Sequence, residues 1–202
     1  MQKFIGLVGT NSNKSTNRQL LQFMKEYFSD KVEIQLMEIK DIPLFNKPED
    51  KKLPEIIKEL AKDIEEADGV IISTPEYDHA IPASLLNALH WLSYGIFPFV
   101  DKPVMITGAS YGTLGSSRAQ AHLRQVLNSP ELKARIMPSS EFLLGHSLQA
   151  FDEDNHLIDK KQIDKLDEIF NDFLIFVQIS NQLNHANHRN KEIAENFSWE
   201  NI

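Results

Sequence analysis

The chain has 202 residues, 42% of them apolar and 25% charged, the make-up of an ordinary globular protein with a sizeable core. Its formal charge of −8 argues against a life on nucleic-acid or membrane phosphates, without excluding one locally basic pocket. With no cysteine, disulfides, thiolate metal sites, iron–sulfur clusters and cysteine nucleophiles are excluded. The opening "MQKFIGLVGT" has too short an apolar run for a secretory signal, and no segment approaches the roughly 20 apolar residues of a membrane span. The expectation is a cytoplasmic protein.

"KFIGLVG" reads as a buried strand ending in glycine. A polar loop follows, and then Leu20, Leu21, Phe23, Met24, Tyr27 and Phe28 recur at helical spacing. "VEIQLMEI" supplies a second strand through Val32, Ile34 and Leu36. Pro43, Pro48 and Pro54 mark residues 40–54 as irregular. "LPEIIKELAKDIEEAD" is an amphipathic helix with Ile56, Ile57, Leu60 and Ile64 on one face. "GVIIST" is a short central strand, and "PEYDHAIPASLLNALHWLS" is a loop and then a helix with Pro82 in its first turn. "KPVMITGAS" is the next strand, followed by a glycine-bearing turn and a helix in "YGTLGSSRAQAHLRQVLN". "ARIMPSSEFLL" holds the last strand, interrupted or ended at Pro138. A long helix from Lys161 to Val177 completes the domain, taken as residues 1–179, with a polar extension over 180–202 that Phe197 and Trp199 could anchor.

Strands that are apolar on both faces and alternate with helices predict a parallel sheet covered on two sides, in a doubly wound α/β fold. Ligands of such folds sit beyond the C-terminal strand ends. Three loops follow strand ends here, at residues 9–17, 74–82 and 108–116, and one ligand could touch all three.

The first loop, "GTNSNKSTN", comes within one residue of a Walker A sequence, with Asn13 where the second glycine belongs. The strand "GVIIST" ends in Thr74 and Pro75, without the aspartate that would hold magnesium, so triphosphate hydrolysis is disfavoured. Thr10, Asn11, Ser12, Ser15, Thr16 and Asn17 instead crowd hydroxyls and amides at a helix start, where free N–H groups and the macrodipole favour a phosphate monoester. Ser15 or Thr16 acting only as a helix cap is the competing reading. In the second loop Tyr77 stands ready to stack on a flat ring, or is a surface tyrosine between solvated Glu76 and Asp78. The third has Gly108, Gly112 and Gly115, which permit close approach to a planar ligand or simply make a tight turn.

At these loops the chain resembles the NADPH-dependent FMN reductase family, on the flavodoxin-like fold, over roughly residues 3–177. The likeness is carried by "PEYDHAIPASLLNALHW", by "GASYGTLGSSRAQAHLRQVL" with its Arg-Ala-Gln run at 118–120, and by "FDEDNHLID". It implies a five-stranded parallel sheet of order 2-1-3-4-5 with helices on both faces, and FMN as the ligand. Ser12, Ser15, Thr16 and Asn17, with Thr10 nearby, would hold the phosphate. Pro75, Glu76, Tyr77 and Asp78 would border the isoalloxazine, and Ser110, Tyr111 and Gly112 would close its other edge. Three positions depart from the family pattern: Ser12 stands where an arginine is usual, Asp78 where asparagine is usual and Leu86 where lysine is usual. Lys14 could supply the charge missing at Ser12.

The implied reaction is hydride transfer from NADPH or NADH to FMN and onward to a quinone, azo, nitro, metal-oxyanion or free-flavin acceptor. The cofactor carries the difficult step, so no catalytic side chain is assigned. The alternatives are a flavodoxin-like electron carrier and a flavin- or NADPH-sensing module without turnover of its own. His185 and His188 have metal-ligand spacing, but no third ligand is evident and no metal site is assigned. His79 is a candidate ring contact, while His90 and His122 read as packing or interface residues. The greasy run "IFPF" at 96–99 hints at an interface, and Arg118 and Arg124 could pair either between subunits or internally. The resemblance leads to the expectation of a homodimer or homotetramer.

Overall fold

The structure is a computed structural model that describes residues 1–138, 141–186 and 189–196. Its elements in chain order are β1 (Gln2–Val8), α1 (Thr16–Tyr27), β2 (Val32–Glu38), α2 (Glu55–Glu66), β3 (Gly69–Ser73), α3 (Ala83–Trp91), β4 (Pro103–Ala109), α4 (Ser117–Leu127), β5 (Arg135–Ile136), β6 (Phe142–Leu144), a 3₁₀ turn (Ser147–Gln149), α5 (Lys160–Ala186) and α6 (Arg189–Glu195). All pairings are parallel, in the order β2-β1-β3-β4-β5, with β6 also paired to β4. This is the expected flavodoxin-like order, with the fifth position divided in two. Arg135 and Ile136 pair with Pro103 and Val104, and the chain leaves the sheet around Pro138, which has no N–H for a ladder. It then returns as β6, beside Thr107–Ala109.

Two cores follow from the two-residue period of the strands. Ile5 and Leu7 of β1, Val70 and Ile72 of β3, and Val104 and Ile106 of β4 pack under α2, α3 and α4 with Ile57, Leu89 and Leu123. Phe4, Val8, Ile71 and Met105 face the other way, under α1 and α5 with Leu20, Met24, Phe170 and Phe173. β2 is an edge strand, and its burial alternates accordingly between apolar and exposed residues. α5 begins where Asp159 accepts from the Lys161 N–H, and it runs beyond the expected Val177 to Ala186. The position taken as the domain boundary, 179, lies within this helix.

Residues 39–54 form no helix or strand, as the prolines indicate. They are strapped to α3: Asn87 accepts from Phe45 N–H, the Trp91 indole donates to Pro43 C=O, and the Tyr94 hydroxyl donates to Pro48 C=O. The run 96–99 is explained by packing within the chain. Phe99 is fully buried and Ile96 packs on the same core, so this run does not present the exposed cluster that suggested an interface. Phe197, Trp199 and His188 lie outside the described residues, as does the His185 side chain. No described helix is long and apolar enough to cross a membrane, and no group of three or more His, Asp or Glu among the described residues could hold a metal ion.

Candidate cofactor site

The C-terminal ends of β1, β3 and β4 open onto a cavity of about 560 Å³, within the range of roughly 300–1,000 Å³ usual for cofactor sites. Ser12, Ser15, Thr16, Asn17, Pro75, Glu76, Tyr77, Ser110, Tyr111 and Gly112 all line it. Thr10 and Asp78, also expected here, do not. Thr10 is buried behind the loop, where its hydroxyl accepts from Ser12 N–H and lies 3.4 Å from the Tyr77 hydroxyl. Asp78 occupies a corner of a two-residue hairpin. Tyr77 and Ala80 exchange both backbone hydrogen bonds, and Asp78 and His79 have φ of 49° and 66°. Both central residues being left-handed defines a type I′ turn, for which Asp and Asn are among the preferred residues. Exchanging the family's asparagine for Asp78 therefore preserves the turn.

At the end of the cavity beside the start of α1, Ser15 caps that helix by accepting from Arg18 N–H. The backbone N–H groups of Thr16 and Asn17 open the helix, where no intrahelical acceptor exists, and no acidic residue stands in the first turn. Donors, helix dipole and the lining ammonium of Lys14 make this end receptive to an anion. Two side chains point elsewhere. Asn17 is buried, donating to Ala109 C=O at 2.9 Å while its Oδ1 accepts from Ala109 N–H at 2.8 Å and the Ser73 hydroxyl at 2.9 Å. Thr16 Oγ1 is 2.8 Å from Ser147 Oγ, also buried. These two residues brace the start of α1 to the ends of β3 and β4 and to the 3₁₀ turn after β6, and what they offer a ligand is backbone N–H.

Arg18 supports the loop from outside. It pairs with Glu38 through two guanidinium nitrogens and donates from the third to Ser12 C=O at 2.8 Å and Asn13 C=O at 3.2 Å. The hydrogen bond to Glu38 raises the Arg18 pKa, against the opposing effect of burial.

At the other end Tyr77 is 49% exposed, Tyr111 60% and Leu114 53%, a cluster of apolar groups around an open cavity. Glu76 lines this end, but its carboxylate is occupied. It pairs with Arg118 and accepts from the Arg118 and Ala119 N–H groups, capping α4, whose Ser116 supplies no side-chain cap. Burial alone would raise the Glu76 carboxyl; Arg118 and these N–H groups outweigh it and hold it below the usual carboxylate range. Arg124, the other arginine of α4 considered for pairing between subunits, donates internally to Met137 C=O.

The glycines of the third loop serve mainly the fold. A Cβ on Gly108 would lie 1.9 Å from Ser116 Oγ, and Gly115 has φ of 57° with the Leu143 backbone 2.6 Å from its Cβ position. Gly112 has open space around it. Thr113, Leu114, Ser116 and Arg118 also line the cavity; nothing in the local sequence sets the first three apart from their third-loop neighbours, and Arg118, which opens the Arg-Ala-Gln run of the family likeness, carries no local sign of facing a ligand. Ser147 carries no local sequence signal, since its partner is 131 residues away.

Anion-receptive helix start, neutral donors and exposed rings in one cavity suit a molecule with a phosphate tail and a flat ring system, so the donor set fits FMN. Residues 2–149 match the family model described as NADPH-dependent FMN reductase. The chain belongs to this family. It is 54% identical over 180 residues, 89% of each chain, to the NADH:(hydroxy)cinnamate reductase subunit CrdA of Vibrio ruber. It is 41% identical to the NADH-dependent flavin reductase subunit 2 of Lactobacillus johnsonii, covering 87% of this chain and 97% of that one. Among solved structures it is similar to FerB, a flavoenzyme NAD(P)H:(acceptor) oxidoreductase from Paracoccus denitrificans, with a TM-score of 0.79, 26% identity and coverage of 89% and 99%. Membership makes the chain an NAD(P)H-dependent reductase that works with FMN.

Proposed function

We propose that the chain binds FMN in the cavity at the ends of β1, β3 and β4 and is an NAD(P)H:acceptor oxidoreductase for quinone, azo, nitro, metal-oxyanion or free-flavin acceptors. The observation that carries this is the polarity of this cavity: helix-start N–H groups with Lys14 at one end, exposed Tyr77 and Tyr111 at the other. FMN held there would supply the redox chemistry, hydride uptake from the nicotinamide and electron delivery to the acceptor. The chain's own residues hold and orient. Ser12, Ser15 and the Thr16 and Asn17 N–H groups fix the phosphate. Pro75 and Tyr77 border the ring, Ser110, Tyr111 and Gly112 close the other edge, and Glu76 fixes the start of α4 beside it. An open ring face excludes few flat acceptors, which supports breadth of acceptor.

The (hydroxy)cinnamate reductase and flavin reductase relatives are both named as subunits. This supports a reading in which the chain also passes electrons to a second polypeptide. A cytoplasmic location, a homodimer or homotetramer, and a flavin domain over 1–179 with an extension over 180–202 complete the proposal. The test is spectroscopic and kinetic together. Protein incubated with FMN and desalted is expected to be yellow, to bleach with NADH or NADPH under anaerobic conditions, and to regain its colour on addition of a quinone. A protein that retains no flavin after that treatment, or whose bound flavin neither nicotinamide bleaches, defeats the proposal.

A further inference from the structure

Tyr77 borders the ring end of the cavity, and its backbone has little freedom left. The hairpin ties Tyr77 and Ala80 by two mutual hydrogen bonds. The neighbouring Glu76 fastens the loop to the first N–H groups of α4. What remains free is the pair of side-chain torsions that swing the phenol, and with Tyr77 49% exposed, packing restrains them only in part. The hydroxyl end is the anchored one. It lies 3.4 Å from Thr10 Oγ1, 67 residues away in the chain and just beyond the end of β1. Thr10 is 1% exposed, and the same oxygen accepts from the Ser12 N–H at 3.2 Å. One buried hydroxyl therefore touches both ends of the cavity: the loop before α1 through Ser12, and the ring loop through Tyr77. A hydroxyl has one proton and two lone pairs. If Tyr77 donated, the Thr10 proton would need a further acceptor in the interior, and a buried donor without one is costly. Thr10 therefore donates to the Tyr77 oxygen, and the Tyr77 proton turns outward from its half-exposed side chain.

We propose that Thr10 is a positioning residue that links the phosphate and ring ends of the flavin site, so that a ligand held by its phosphate also finds Tyr77 in place. This rests on the FMN reading of the cavity. With the Ser12 loop engaged on a phosphate, the Ser12 N–H stays on Thr10, Thr10 stays turned to the Tyr77 oxygen, and the phenol keeps one orientation. Riboflavin has the same ring and no phosphate. It leaves the Ser12 loop unengaged and meets a phenol that is freer to swing. The link thus favours FMN over riboflavin beyond what the phosphate's own contacts supply, by holding Tyr77 ready for the ring. The Thr10–Tyr77 separation is long for a pair of hydroxyls, so the effect is that of one weak hydrogen bond, roughly three- to fivefold in affinity.

The test is a double-mutant cycle read by binding rather than turnover. Full-length protein freed of flavin is titrated with FMN and with riboflavin, followed by flavin fluorescence, for the unmodified chain, Thr10→Val, Tyr77→Phe and the double variant. Thr10→Val keeps the branched shape and removes the hydroxyl, while Tyr77→Phe keeps the ring and removes its oxygen. Each single variant is expected to lower the ratio of FMN to riboflavin affinity about three- to fivefold. The double variant should lower it no further, and Thr10→Ser, which keeps the hydroxyl, should restore it. Tyr77→Phe alters an exposed position and reports on the same link should Thr10→Val fail to fold. Additive losses in the double variant overturn the inference by showing that the two hydroxyls act separately. Equal losses for FMN and riboflavin also overturn it, by showing that Thr10 only supports the fold. Either of those results leaves the FMN reading standing, whereas an unmodified chain that binds neither flavin removes both.

Discussion

Asn17 offers the sharpest separation between a residue that holds the cofactor and one that holds the site. Its carboxamide makes three buried hydrogen bonds, to both backbone groups of Ala109 and to the Ser73 hydroxyl. Asn17→Ala strands the Ala109 N–H and C=O in the interior, while the Ser73 hydroxyl is free to rotate. At about 1–3 kcal/mol for each buried group left unpaired, and allowing for partial relaxation, the expected loss is about 3 kcal/mol. For a chain of this size that lowers Tm by roughly 6–12 °C. The assay is urea unfolding of the flavin-free protein followed by far-ultraviolet circular dichroism, paired with a fluorescence titration of FMN. Asn17→Asp, which keeps the acceptor but sets a carboxylate against Ala109 C=O, should be at least as damaging. If instead Asn17→Ala shifts stability by less than about 0.5 kcal/mol and weakens FMN more than tenfold, the side chain is a phosphate ligand and the clamp reasoning is wrong.

Other substitutions probe the remaining groups. Lys14→Ala should weaken FMN about fivefold, as expected for one exposed cation near a phosphate, and should flatten the salt dependence of the titration. The Glu76 carboxyl is held low in the folded state, so its contribution is present above the unfolded carboxylate pKa and lost as pH falls through the folded value. Glu76→Gln should therefore blunt the acid limb of stability, by only about 1 kcal/mol because Arg118 is half exposed, as measured by urea midpoints from pH 3 to 7. Lys102 acts with the same sign in an alkaline window. Burial lowers its pKa to about 8, against the attraction of Asp68 and Glu65, while its ammonium donates to the Glu65 and Ala67 carbonyls at the end of α2. Between the folded value and the ordinary lysine value the unfolded chain binds more protons, so stability rises with pH. The gain from pH 7 to pH 9.5 should be about 2 kcal/mol, and Lys102→Met should remove it.

The framework was legible because each central strand is apolar on both faces and each helix carries one apolar stripe. Ile5 and Leu7 against Phe4 and Val8 already encode two cores. The interrupted last strand was legible for a similarly local reason, the absence of an N–H at Pro138. Long-range bonding was not. Nothing near Thr16 indicates that its hydroxyl meets Ser147, and nothing near Glu76 indicates that its carboxylate caps a helix beginning 41 residues later at Ser117. Side chains read as ligand contacts from their loops are in part spent on holding those loops together. The glycines show the same shift, since Gly108 and Gly115 admit neighbouring protein atoms rather than a ligand.

This distribution of roles also accounts for the serine at position 12. An arginine is usual there in the family, yet the loop does have a guanidinium close by. Arg18 reaches the Ser12 and Asn13 carbonyls from behind while Glu38 neutralises it. Its charge is thus spent on shaping the loop rather than on the cavity, leaving Lys14 as the lining cation at the end proposed for the phosphate. Affinity for a dianion then rests chiefly on N–H groups aligned by the start of α1, whose pull is short-ranged and less screened than that of an exposed ammonium. Restoring the family's residue with Ser12→Arg should tighten FMN at low salt and lose most of that gain at high salt, whereas the unmodified protein should lose only the smaller, roughly fivefold part that the one lining cation, Lys14, contributes. A steep loss of affinity with salt in the unmodified protein, of the size expected for two or more cations, would mean that charge rather than oriented backbone holds the phosphate.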